Sequence, residues 1–140
     1  MEILNADGQL ISHLKAGTEI VIRIHYAVRE ALLAPRFGFG LLTEKGARVL
    51  NSVSNDSGPE IARIEGSGFV EVHIRDVTLA IGRYLCNLAV TDRTGNYCDY
   101  LRDVPLFEIT QGGKLPVSRT YDQSSGIVYP EIMWELKGDL

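Results

Sequence analysis

Three segments of the chain alternate apolar and polar side chains with a period of two residues. Residues 20–28, 69–75 and 84–90 all carry apolar side chains at their even positions. Successive side chains of a β-strand point to opposite faces of a sheet, whereas an amphipathic helix repeats every 3.6 residues. Each segment therefore predicts a half-buried strand, and a chain dominated by this period is expected to be all-β.

Shorter strand candidates occupy most of the remaining sequence. They are residues 10–13, 36–43, 48–53, 96–101, 106–110 and 127–136. Turn-forming residues separate them, among them Glu44-Lys45-Gly46 and the stretch from Asp92 to Gly95. Strands at this spacing with glycine-rich turns predict an antiparallel β-sandwich of immunoglobulin-like or jelly-roll topology. Residues 27–34 are the one segment with helical potential, and a single turn there would not change the fold class.

The length of 140 residues predicts one domain, residues 1–140. Residues 111–125 are polar and rich in glycine and serine, so we interpret them as a tether. The predicted last strand, residues 126–136, follows this tether. A tethered terminal strand pairs with its own domain by default, and exchange with a second protomer is the alternative.

Charge and cysteine usage restrict the partners. The net charge of −4 argues against nucleic acid or an anionic membrane surface as the main partner. No apolar run approaches the ~20 residues that cross a bilayer, so membrane insertion is not expected. The predicted hairpin keeps Cys86 and Cys98 too far apart to bond. Two free thiols indicate a reducing compartment.

Two glycines occupy alternate positions of one predicted strand. In residues 36–43, the apolar side chains of Phe37, Phe39 and Leu41 share a face, which leaves Gly38 and Gly40 on the other face. Outward glycines weaken a strand. They provide either a shallow trough in which a flat ligand reaches the backbone, or room for another part of the same chain.

A neighbouring hairpin supplies polar groups for such a trough. A two-residue turn at Arg93-Thr94 places Asn87 directly opposite Tyr100, with Arg102 on the same face. An aromatic ring can stack on a sugar while amide and guanidinium groups bond its hydroxyls. We therefore predict a carbohydrate site at Asn87, Tyr100, Arg102, Gly38 and Gly40.

A second outward face carries Arg23, His25 and His73. With Glu71 it could hold zinc, although solvent-facing strand histidines explain it more simply. We rank it as the weaker alternative for glycan binding, since its charges can pair across strands. The chain has no nucleotide-binding loop or nucleophile elbow. We expect no metal, no cofactor and no enzymatic activity in this domain.

The segment Gly82-Arg83-Tyr84-Leu85-Cys86 has the G-x-Y-x-C form of immunoglobulin-like sandwiches. In that pattern the tyrosine hydroxyl closes a corner by bonding the backbone a few residues upstream. We therefore predict that Tyr84 and Cys86 point inward and have structural roles.

Several motifs together resemble the C-terminal carbohydrate-binding domain of Wzt-type proteins, the ATP-binding subunits of ABC transporters that export O-antigen polysaccharide. They are Asp7-Gly8, Gly17-Thr18-Glu19, Pro35-Arg36-Phe37-Gly38-Phe39, Glu44-Lys45-Gly46, Gly82-Arg83-Tyr84, Thr91-Asp92, Phe107-Glu108-Ile109, Gly126-Ile127-Val128 and Trp134. The resemblance covers most of the chain and does not extend to the family's ATPase domain, so we expect the chain to be either a fragment or a stand-alone binding module.

The resemblance implies a non-catalytic module that recognises the terminal end of the O-antigen polysaccharide in the cytoplasm and couples it to export. It also implies a homodimer that works with the ATPase domain of the same subunit, at an inner-membrane transporter. The alternative is an immunoglobulin-like protein–protein interaction module that binds through an edge strand. A small hydrolase is the third reading.

Overall fold

A computed structural model describes residues 1–4, 8, 10, 13–15, 17, 19–56, 60–75, 78–110, 127–128 and 134. Eight strands run along these residues: β1 Glu2–Leu4, β2 His13–Lys15, β3 Ile20–Leu33, β4 Arg36–Thr43, β5 Arg48–Val53, β6 Arg63–Ile74, β7 Gly82–Thr91 and β8 Tyr97–Thr110. Among the described residues, no helix has the length and apolar character needed to span a bilayer.

The strands form two sheets. One has the order β1-β3-β6 and the other has the order β2-β8-β7-β4-β5. Neighbouring strands are antiparallel except for the short parallel pair of β2 and β8. The predicted all-β sandwich is confirmed. The segment with helical potential, residues 27–34, instead continues β3 as far as Leu33.

The core lies between the two sheets and is built from the predicted inward positions. Its buried side chains include Ile20, Ile22, Phe39, Leu41, Ile74, Tyr84, Cys86, Leu88, Phe107 and Ile109. Burying such apolar surface supplies most of the favourable free energy of folding. The core therefore holds β4 and β7 side by side in the middle of the larger sheet, with their other face turned outward.

The predicted tyrosine corner is present. The hydroxyl of Tyr84 donates a hydrogen bond of 2.7 Å to the backbone carbonyl of Ala80, and both residues are buried. The ring of Tyr84 also packs against Phe107, with centroids 5.4 Å apart. Cys86 is buried and Cys98 is exposed, and both thiols are free as predicted.

Several strand ends differ from the sequence prediction, and β6 begins at Arg63, before the predicted strand 69–75. The predicted strands 96–101 and 106–110 are one strand, β8, which continues through a bulge where Asp103 has a φ of 52°. A bulge accommodates an extra residue without ending a strand. The break in apolar alternation between the two predicted strands therefore did not mark a strand end. In the N-terminal region, β1 was not predicted, and Leu10 forms only an isolated bridge to Leu4.

Little of the C-terminal prediction can be compared with the structure. The tether at residues 111–125 lies outside the described residues, as does most of the predicted strand 126–136. Within that strand, Val128 bridges Leu79, and the amide of Ala80 donates a 2.8 Å hydrogen bond to the carbonyl of Ile127. This short described piece therefore contacts the β6–β7 connection of the same chain.

Candidate functional site

The outward face of β4 has a floor of bare backbone. Gly38 and Gly40 point away from the core, between the inward side chains of Phe37, Phe39 and Leu41. A Cβ atom at Gly40 would lie 3.5 Å from Asn51 Oδ1 and 3.8 Å from Asn87 Cβ. A Cβ atom at Gly38 would lie 3.6 Å from Ala89 Cβ. These are ordinary contact distances, so the packing of the described chain does not require glycine at either position.

Two asparagines stand on either side of Gly40. Strand register places Asn51 of β5 and Asn87 of β7 opposite Gly40, in one row across three strands. The Asn87 Oδ1 atom accepts a 2.9 Å hydrogen bond from the backbone amide of Asp103. This bond identifies the oxygen of the amide and orients the group. The Nδ2 donors of Asn87 have no partner among the described residues.

Two tyrosines form the β8 side of the site. Tyr97 is 69% exposed and Tyr100 is 40% exposed. Their rings meet edge to face, with centroids 5.4 Å apart and an interplanar angle of 81°. This arrangement is a favourable one for aromatic pairs. The pair therefore presents an aromatic surface on β8, separated from the glycines of β4 by β7.

These groups line one cavity of about 260 Å³, which we call the glycine trough. Its lining includes Gly38, Gly40, Asn87 and Tyr100 from the sequence prediction, together with Arg36, Arg48, Asn51 and Tyr97. Arg102 is not part of the lining. Its guanidinium carbon lies 4.9 Å from the centroid of the Tyr100 ring, within the range of a cation–π contact. The fold thus brings the five predicted residues to one face.

The predicted register of the β7–β8 hairpin is wrong. Tyr100 lies opposite Ala89, and Asn87 lies opposite the Arg102–Asp103 bulge. The turn contains three residues rather than two, because the amide of Asp92 bonds the carbonyl of Asn96. A bulge in β8 adds one further residue. Beyond the bulge the total shift is two residues, which keeps Tyr100 on its predicted face, so Tyr100 and Asn87 still share the trough.

The Asp92 side chain explains the longer turn. Its Oδ1 atom accepts hydrogen bonds from the amide of Thr94 at 2.9 Å, the hydroxyl of Thr94 at 2.7 Å and the amide of Asn96 at 3.0 Å. The hydrogen bonds from Thr94 are the main cause that lowers the pKa of the Asp92 carboxyl. Gly95 adopts a φ of 89°, which glycine accommodates without strain.

The predicted site did not include Arg36, Arg48, Asn51 and Tyr97, which also line the trough. A signal for Arg48 and Asn51 was available. The turn at Glu44-Lys45-Gly46 joins two predicted strands, and a hairpin there places Asn51 beside Gly40. Tyr97 had no comparable signal, because its position depends on the bulge between Tyr97 and Asp99 in β8.

The weaker alternative face lies on the outer side of the other sheet. Arg23 donates hydrogen bonds of 3.0 and 3.2 Å to Glu71, and His73 lies 3.5 Å from the same carboxylate. His25 bonds Glu2 across the strands. The bond from Arg23 is the main cause that lowers the pKa of Glu71, and the bond with His25 lowers the pKa of Glu2. The positive groups of this face are thus already paired with carboxylates.

The zinc alternative receives no geometric support from the described residues. They contain no group of three or more histidine, cysteine or acidic side chains arranged to hold a metal ion. His25 and His73 each face a different carboxylate. The side chain of the third histidine of the chain, His13, lies outside the described residues.

Comparison with known proteins identifies the family. The family model of the Wzt C-terminal domain matches residues 1–129. A crystal structure of the C-terminal domain of wzt superposes with a TM-score of 0.57 at 14% identity, covering 89% of this chain and 78% of that chain. None of the curated proteins compared with this chain matches it. The structural match supports the β-sandwich fold, and the sequence match shows that the chain belongs to the Wzt C-terminal domain family.

Proposed function

We propose that this domain is a non-catalytic carbohydrate-binding module that recognises the O-antigen polysaccharide at its terminal end. In this proposal the domain works in the cytoplasm and couples the glycan to export by an ABC transporter. Family membership supports the transporter context. The observation that carries glycan binding is the glycine trough. In it, Asn51 and Asn87 flank the backbone at Gly40, and the Tyr97–Tyr100 pair lines the β8 side.

The parts of the trough suit the chemistry of a sugar. Gly38 and Gly40 add no side chain to the floor, so a sugar ring would approach the backbone of β4 between the side chains of Asn51, Asn87 and Ala89. Tyr100 offers a ring on which the C–H face of a sugar can pack, and the Nδ2 group of Asn87 offers two donors to hydroxyl oxygens. A shallow open site of this kind predicts a Kd between about micromolar and millimolar, or about −8 to −4 kcal/mol.

The groups in the trough favour binding over catalysis. Its described lining contains no carboxylate, histidine or cysteine. General acid–base catalysis and covalent catalysis most often use such groups. The selectivity of this surface would therefore come from shape and hydrogen bonding.

A chemical-shift titration of isotope-labelled protein with the O-polysaccharide of its source organism tests the proposal. We expect shifts confined to Asn87, Tyr100 and their neighbours, and no shifts with an unrelated polysaccharide. Tyr100→Ala should abolish most of the binding. Phe69→Ala is the matched control, because Phe69 is an exposed aromatic residue, 51% accessible, on the other sheet.

Three results would revise the proposal. Chemical-shift changes around His25 and His73, together with a loss of binding in Phe69→Ala, would support glycan binding and place the site on the alternative face. Unchanged affinity in Tyr100→Ala would mean that the glycan does not bind in the trough. The absence of any shift at millimolar sugar would reject the carbohydrate function.

We also propose a homodimer that associates with the ATPase domain of its transporter subunit, with exchange of the last strand between protomers. Residues 127–128 contact Leu79 and Ala80 of the same chain, and in an exchanged dimer the second protomer would supply this contact. Light scattering after size exclusion tests this proposal. Removal of residues 127–140 should convert the dimer to a monomer, whereas an unchanged dimer would argue against strand exchange.

A protein-interaction module is the second candidate, and the free edge of β8 favours it. Among the described residues, β2 pairs with β8 at Glu108–Thr110, and the part of β8 from Tyr97 to Asp103 has a strand on one side alone. Leu101 on this edge is 47% exposed. An open edge can add a strand from a partner. Proteins captured by the wild type but lost in Leu101→Arg would support this candidate.

A further inference from the structure

Arginines surround the glycine trough although the whole protein is acidic. Arg36 and Arg48 line the cavity, Arg102 lies over Tyr100, and the described lining contains no aspartate or glutamate. The chain as a whole has 18 acidic and 14 basic residues. A cleft of one charge sign, with low-dielectric walls, concentrates ions of the opposite sign. The trough is therefore electrostatically suited to an anionic ligand.

The trough arginines are available to a ligand. Among the described residues, Arg48 and Arg102 have no carboxylate partner, and Arg36 has a long, exposed pairing of 3.6 Å with Glu60. On the other sheet, Arg23 and Arg75 form ion pairs of 3.0 and 2.8 Å. Arg48 and Arg102 thus differ from Arg23 and Arg75 in having no carboxylate partner among the described residues.

The strand register separates the two lining arginines along the trough. Arg36 begins β4 and lies opposite Thr91, whereas Arg48 lies opposite Leu42 near the other end of β4. Six residues of extended strand span about 20 Å. Gly38 and Gly40 lie between these two ends. A glycan lying over the glycine floor would meet a guanidinium at each end.

We propose that the glycine trough selects a negatively charged glycan, with Arg36 and Arg48 pairing with carboxylate or phosphate groups on the sugar. This inference rests on the proposed function and adds the chemical class of the ligand. A guanidinium forms two parallel N–H···O bonds with either group, a geometry that a neutral hydroxyl does not offer. Arg102 over Tyr100 adds positive charge beside the aromatic surface.

Chemical treatment of the glycan tests the charge requirement. Fragments of the source O-polysaccharide are titrated in three forms: native, carboxyl-reduced with carbodiimide and borohydride, and dephosphorylated with hydrofluoric acid. We expect one of the two treatments to weaken binding about tenfold. A loss after reduction would indicate a carboxylate, and a loss after hydrofluoric acid would indicate a phosphate. Raising the salt from about 0.05 to about 0.5 M should also weaken native binding, because added salt screens exposed charges.

Matched arginine variants connect the effect to the trough. Arg48→Gln and Arg36→Gln should each weaken binding of the native fragment about tenfold and leave binding of the neutralised fragment unchanged. Arg29→Gln is the control, since Arg29 lies on β3 outside the trough lining.

The outcomes separate the two proposals. Equal binding of all three glycan forms in the trough, with both arginine variants unaffected, would overturn the anionic ligand and leave carbohydrate binding standing. If no form shifts the trough residues, carbohydrate binding itself fails and the inference fails with it.

Discussion

Replacement of Gly40 with alanine is expected to stabilise the fold and weaken glycan binding at the same time. The φ angle of Gly40 lies outside the left-handed region, so alanine fits its backbone. The added Cβ atom would lie 3.5 Å from Asn51 Oδ1 and 3.8 Å from Asn87 Cβ, which requires no rearrangement. Alanine also restricts the unfolded chain more than glycine does. The free energy of unfolding should therefore rise by about 0.5–1 kcal/mol.

The same methyl group occupies the floor of the trough at Gly40. A sugar packed against the backbone must then move outward or strain its contacts, and an extra methylene in a packed site costs about 1–3 kcal/mol. Since about 1.4 kcal/mol corresponds to a factor of ten in Kd, we expect affinity for the O-polysaccharide to fall about tenfold or more.

Two assays on one protein sample measure both effects. Urea unfolding gives the change in stability, and a chemical-shift titration gives the change in Kd. Gly68→Ala on the other sheet is the matched control: its Cβ atom would lie 2.5 Å from Tyr26 Oη and 2.7 Å from Tyr26 Cζ. The control should lose stability and keep its affinity. A folded Gly40→Ala protein with unchanged affinity would refute the role of the floor, and a loss of stability would refute the packing argument.

Three further perturbations test the fold around the site. Tyr84→Phe removes the buried hydrogen bond to a backbone carbonyl and should lower the free energy of unfolding by about 1–2 kcal/mol in urea titrations. A thiol reagent at neutral pH should modify Cys98 in the folded protein and Cys86 after denaturation, because burial raises the pKa of Cys86 to about 11. Arg23 lowers the pKa of Glu71, so stability should decline as the pH falls from the ordinary value of 4.5 through the lowered one, and Glu71→Gln should flatten this decline.

Each of these tests has its own control. Tyr97→Phe changes an exposed hydroxyl and should leave stability within about 0.5 kcal/mol. A Cys98→Ser protein that still reacts quickly at neutral pH would contradict the burial of Cys86. The sign for Glu71 follows from its lowered pKa: the carboxylate stabilises the fold above the unfolded value and loses this effect on protonation. If Glu71→Gln and the wild type lose the same stability as the pH falls, other carboxylates are responsible for the loss.

Much of the fold could be predicted because its signals are local. Strands β4 and β5 begin and end where the alternation of their side chains predicts. The inward face of Tyr84 and Cys86, and the outward face of Gly38 and Gly40, follow from position along a strand. A side chain keeps its face wherever the strand is placed in the sheet, so alternation is sufficient for these assignments.

The composition of the site depended on information that is not local. Asn51 lies beside Gly40 because β5 is next to β4. The ring of Tyr97 contacts that of Tyr100 because β8 contains a bulge between Tyr97 and Asp99. The three-residue turn after Asp92 moved Tyr100 away from its predicted partner. Pairing partners, turn lengths and bulges depend on backbone hydrogen bonds across the whole sheet, and hydrophobic alternation carries little information about them.

The amino-acid sequence by itself determined an all-β chain with two outward glycines on one strand, and its motifs identified the family. Only the tertiary structure decided which side chains surround those glycines, and that Arg36 and Arg48 line one trough whose described lining contains no carboxylate. The physical reason is the range of the interactions. The face of a side chain is set within its own strand, whereas the glycine trough is assembled from four strands whose register the folded sheet alone determines.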